Sequence, residues 1–125
     1  YPNMGGTGTT GDIMFPATGN IWRSGTNTAT LGARSTGQVI GIAVDFDNSQ
    51  CWFRVAPSGN WNGSGTANPA TNTGGIAVPS GLGAIVPFCT FGGSGGVSGV
   101  AFTANFGASA FTGAVPSGFT SGWTS

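Results

Sequence analysis

The 125-residue chain contains no Lys, Glu or His, and its charges are Arg23, Arg34, Arg54, Asp12, Asp45 and Asp47, for a formal net charge of zero. Each absence removes a class of function. Without His there is no Ser-His-Asp or Cys-His arrangement, and without Lys there is no Schiff base and no Ser-Lys variant. Binding to nucleic acid or anionic lipid needs clustered Lys and Arg, so neither is an expected partner. Cys51 and Cys89 have no zinc spacing and are too few for a disulfide framework. Each sits in a strand-like apolar run, as a buried thiol or as half of one bridge. The longest apolar run, residues 39–44, falls far short of a membrane span, and the start has no basic region leading into an apolar stretch. The chain opens on Tyr1, which points to processing or to residues that precede it. No catalytic group, metal or cofactor is expected.

What is present favours strands. The chain holds 25 Gly, nine Phe and four Trp, with the strong helix formers Glu, Lys and Gln nearly missing. Aromatics without net charge argue against disorder, and 125 residues fit one domain. A nearly uncharged surface promotes association, which suits an assembly or extracellular particle. Residues 1–12 lack periodicity and read as an arm or loop, and residues 13–125 as the domain. Short strand-like runs follow at 13–15, 20–25, 28–33, 76–78, 84–91, 97–106 and 109–115, each bounded by Gly, Pro or Asn. GGSGG at 92–96 precedes neither helix nor Lys and reads as a hairpin turn, not a phosphate loop. Even spacing without helical pattern predicts an antiparallel β-sandwich or barrel.

Half of the charge sits in one ribbon, IGIAVDFDNSQCWFRV at 40–55. Counting in twos places Ile40, Ile42, Val44 and Phe46 on one strand face and Gly41, Ala43, Asp45 and Asp47 on the other. After a polar turn containing Asn48, Ser49 and Gln50, Cys51, Phe53 and Val55 alternate with Trp52 and Arg54. The expectation is a hairpin with one buried face, Asp47 and Asn48 at its turn, and Arg54 directly across from Asp45 if Ser49 and Gln50 are central. The expected core is Ile40, Ile42, Val44, Phe46, Phe53, Phe91, Phe102, Phe106 and Phe111.

The aspartate pair has two chemical readings besides a turn. A calcium loop starting at Asp45 needs Gly at its sixth position and Glu at its twelfth, where Gln50 and Ala56 stand. A glycosidase needs a carboxyl whose pKa burial has raised, and carboxyls at a hairpin tip are in water. The turn reading is therefore preferred. Residues 56–75 form a long polar, glycine-rich loop around Trp61. A flat apolar ring among amides is the composition that sugar sites and protein paratopes share, making Asn60, Trp61, Asn62, Ser64 and Asn68 the candidate binding loop. The alternative is that Trp61 folds back over the sheet edge. Trp22 and Trp52 read as packing residues, and Trp123 as a C-terminal lid.

The segment GQVIGIAVDFDNSQCWFRV at 37–55 resembles the central hairpin of SPRY (B30.2) domains, whose pattern is G-D-V-I-G-V-x-L-D-hydrophobic-D followed by an aromatic strand. IVPF at 85–88 resembles the family's strand-Pro element, and FTANFGASAFTGAVPSGF at 102–119 its closing signature. The loop WNGSGTANPATNTGG is similar to that of bacterial and phage SPRY-like proteins. The resemblance spans about residues 10–120 but covers only the later two-thirds of the family fold, because its first strands have no counterpart. It implies a bent, jelly-roll-type β-sandwich that binds protein through its loops, here the Trp61 loop and the turns near Trp22 and Gly92, without catalysis. Phage-like members imply a virion or surface-assembly part: capsid decoration, tail or fibre. Its partners would be other protein chains, copies of itself included. A lectin-like host-glycan binder is the alternative. The missing strands lead to one more expectation: an extended segment, from residues 1–12 or another chain, pairs with an open sheet edge.

Overall fold

A computed structural model describes residues 13–14, 18–78 and 101–122, the first pair by backbone alone. The fold is mostly β, with two three-stranded antiparallel sheets, no closed barrel and no α-helix among the described residues. The first sheet holds β1 (Ile13–Met14), β2 (Asn20–Arg23) and β3 (Thr26–Thr30), in that order. The second holds β4 (Ile40–Asp45), β5 (Gln50–Val55) and β6 (Ile76–Ala77), with β5 in the middle. Trp61–Gly63 and Pro69–Thr71 are short 3-10 turns.

Turn chemistry sets both hairpins. Ser24 and Gly25 both have positive φ, the backbone of a two-residue turn whose twist matches its strands. β3 accordingly starts at Thr26, two residues earlier than the sequence reading, and ends at Thr30. The β4–β5 turn is longer than expected, running from Phe46 to Ser49, with Asp45 paired to Gln50. Asp45 closes it, its Oδ1 accepting from the Asn48 N–H at 2.9 Å and its Oδ2 from Asn48 Nδ2 at 2.8 Å. The side-chain bond from Asn48, then the backbone bond, hold the Asp45 carboxyl below its usual value. Asn48 is thus a turn residue, as read, whereas Asp45, expected on the outward strand face, ends β4 and closes the turn with its carboxylate. Arg54, however, faces Gly41 and not Asp45, because the turn is centred on Asp47 and Asn48, two residues before Ser49 and Gln50.

The core also departs from the simple pattern. Ile21 of β2, Cys51 and Phe53 of β5, and Ile76 of β6 form one buried cluster, with Ala29, Leu31, Ile40, Val44 and Val78 packed against it. Burying an Ile or Phe side chain contributes roughly 1.5–3 kcal/mol, so this cluster joins the two sheets. Of the expected core, Phe53, Ile40 and Val44 belong, but Ile42 is 56% exposed and Phe46 57% exposed. Phe46 is a turn residue, and Ile42 lies on edge strand β4, so neither has a strand beyond it among the described residues. Phe102, Phe106 and Phe111 are exposed too, and neither the described part, 101–106, of the strand expected over 97–106 nor the strand expected over 109–115 forms. That stretch bends at Gly107 and Gly113, both at positive φ, which breaks the alternation a strand requires. The expected arm at 1–12, the strand at 84–91, Cys89, Phe91, the turn near Gly92 and Trp123 lie outside the described residues.

Candidate functional site

The expected single buried face of the β4–β5 hairpin is incorrect for β5: Cys51, Trp52 and Phe53 are consecutive and all buried. Trp52 points away from the cluster around Cys51, yet it is completely inaccessible. Its Nε1 donates to the Thr73 carbonyl at 2.9 Å, and Phe119 meets its ring edge-on at 6.2 Å between centroids. Gly75 lies so close beneath the ring that a Cβ there would come within 2.7 Å of it. The loop 56–75 and the segment 101–122 therefore form the second cover of β5, and the candidate binding residues lie in that cover.

Asn62 is buried and left-handed, at φ 49°, a conformation Asn tolerates better than most residues. Its Oδ1 accepts the Phe53 N–H at 2.9 Å and its Nδ2 donates to the Gly74 carbonyl at 2.9 Å. The register Gln50–Ala77, Cys51–Ile76 would put Phe53 opposite Gly74 one rung further on, but β6 ends at Ile76. The carboxamide fills the gap where the two chains part and stands in for a peptide group. Gly63 follows at φ +68°, and a side chain there would run into the Thr30 carbonyl, so the turn carrying Asn62 is seated on the end of β3.

Trp61 is half-buried, with the Arg54 guanidinium over its ring at 4.5 Å from the centroid. Arg54 packs across Gly41, and its Nη2 donates to the Ala114 carbonyl at 2.7 Å. A guanidinium over Trp contributes about 0.5–2 kcal/mol, and here it pins 101–122 to the loop. Trp61 has thus folded back on the sheet, with its outer edge still accessible.

The remaining candidates divide. Asn68 Oδ1 accepts from the Ala70 N–H at 3.0 Å and caps the second 3-10 turn, while Ser64 Oγ lies 3.1 Å from Thr66 Oγ1. Asn60 is exposed, and its backbone carbonyl accepts from the Gly63 N–H at 3.2 Å. Sequence reasoning grouped these five by composition, but the structure brings only Trp61 and Asn62 together against β5. The partners of that pair, Arg54, Phe53 and Gly74, were missed as a set; the signal available was a lone Arg opposite a Gly. Asp47 is exposed at the turn tip. Cys51 is a free thiol, and burial pushes its pKa up to about 12 despite the pull of Arg23. Among the described residues no group of three His, Cys, Asp or Glu side chains could hold a metal ion, and no helix is long and apolar enough to cross a membrane.

No family model, curated protein or solved structure matches the chain. The SPRY resemblance therefore rests on its motifs.

Proposed function

We propose that this chain is a non-enzymatic interaction module of SPRY type, its two sheets forming part of a β-sandwich, used as a component of a virion or another surface assembly. The observation that carries the reading is β4. It is the last strand of its sheet among the described residues, and it presents Val39 and Ile42, 44% and 56% exposed, beside its unpaired edge. An edge with backbone groups to offer and apolar side chains beside it is suited to receiving an extended segment of another protein. No Lys exists in the chain to repel such a neighbour.

Site-specific photo-crosslinking tests this in the native setting. A crosslinker at position 42 is expected to join the chain covalently to another protein chain, and one at position 60 to do so far less. Equal or absent crosslinking at both positions would remove the β4 reading. The lectin-like alternative retains Asn60 and the outer edge of Trp61. Unchanged host adsorption by Trp61→Ala, together with silence on a glycan array, would dismiss it.

A further inference from the structure

Of the six charged residues, five are described, and three of these are already engaged. Arg34 donates from Nε to the Gly32 carbonyl at 2.7 Å and from Nη2 to the Leu31 carbonyl. Arg54 is held by Trp61 and Ala114, and Asp45 by Asn48. Among the described residues one charge of each sign is left; Asp12 lies outside them. Arg23 uses only its Nε, which donates to the Ala77 carbonyl at 2.7 Å, so its two terminal nitrogens hold no partner among the described residues. The exposed Asp47 carboxylate likewise holds none.

Both lie at the same end of β6. Arg23 is fixed to Ala77; the next residue, Val78, donates its N–H to the Ser49 carbonyl at 2.8 Å, and Ser49 shares its turn with Asp47. Arg23 also borders an open cleft of about 380 Å³ between the two sheets, walled by Thr28, Ala29, Ile76 and Ala77. That cleft has one fixed cation and no acid of its own. Within one chain no ion pair joins Arg23 to Asp47 among the described residues.

We infer that this end of the molecule pairs with the same end of a second copy, each Asp47 turn entering the other chain's cleft so that Asp47 meets Arg23 twice about a two-fold axis. A two-fold contact is self-complementary, so a patch with one cation beside one anion satisfies both by meeting itself. The charges are complementary, the chain carries only six in all, and its zero net charge opposes nothing. The inference rests on the assembly reading only in taking the chain to be a component of one. It uses β6 and the hairpin tip, not β4, so either can fail alone.

Sedimentation velocity of the full chain at low salt, from about 10 µM to about 1 mM, reads the result. Wild type should gain mass with concentration, less so as salt is added. Asp47→Asn, which retains a turn-compatible side chain, should weaken association roughly tenfold. Asp47→Arg and Arg23→Asp should each stay monomeric alone, while an equimolar mixture of the two restores association, because one copy then carries two acids and the other two bases. Thermal melts confirm that each variant is folded. A wild type monomeric throughout, single variants that associate as wild type does, or a mixture no better than its components would overturn the pairing.

Discussion

On one face of β5, Cys51 and Phe53 meet the apolar side chains of β2 and β6; on the other, Trp52 and Arg54 meet a loop and a segment without regular structure. The first cover is built from strands and needs only volume and apolarity. The second is built from polar chain, and its anchoring contacts are directional: an indole N–H on a carbonyl, a carboxamide between two peptide groups, a guanidinium on a ring. Polar, glycine-rich sequence can bury a tryptophan completely if its own backbone groups are satisfied in the process. A loop of this composition is therefore as well explained by the strand it covers as by a ligand.

The largest effect that would break this comparison is at Trp52. Trp52→Ala should lower stability by about 3–5 kcal/mol in denaturant melts, as a core truncation does, whereas Ile42→Thr on the neighbouring strand should stay within about 0.5 kcal/mol. Similar losses for both would mean that the second face is not a core. Next is Asn62→Ala, which leaves the buried Phe53 N–H without its partner and should cost about 1–3 kcal/mol. Asn60→Ala, on the exposed side of the same loop, should cost almost nothing by the same measurement.

The residues show how much of this could be read in advance. Strands at 20–23, 40–45, 50–55 and 76–77 were readable because alternation and turn residues agree there. A turn holding Asp47 and Asn48 was readable as well, since Asp and Asn bond neighbouring backbone groups, but not that Asp45 would close it. What alternation could not convey is that an outward position may be covered by a loop: Trp52 and Phe53 occupy opposite faces and are buried alike. Nor does composition distinguish an amide that binds a ligand from one that completes a sheet, as Asn62 does. Phe102 and Phe106 carry the spacing of one strand face, but Gly107 at positive φ ends the run.

Two smaller effects sharpen the contrast. Arg54→Met keeps the stem and loses the charge, and should cost about 1 kcal/mol; combined with Trp61→Leu the losses should be less than additive, since each alone removes the same contact. The apolar face has a pH signature of its own. Because the Cys51 pKa is raised from 9.0 to about 12, the folded chain keeps a proton that the unfolded chain gives up. Its contribution is complete below pH 9.0 and is lost as pH rises towards about 12, so denaturant midpoints should fall across that window in a Cys89→Ser background and fall less when Cys51→Ala is added. The smallest effect is at the turn. The lowered Asp45 carboxyl helps above the ordinary aspartate range and is lost as pH falls through and below it, so Asn48→Ala should slightly flatten the acid side of the stability profile.

Amide hydrogen exchange at Phe53 tests the second cover most directly. This N–H lies in the middle of β5 and donates to the Asn62 side chain. The account predicts protection close to that of the β4–β5 ladder amides, and a selective loss of it in Asn62→Ala while the ladder amides stay protected relative to global unfolding. Fast exchange at Phe53 in the wild type, or protection that survives Asn62→Ala, would contradict the account.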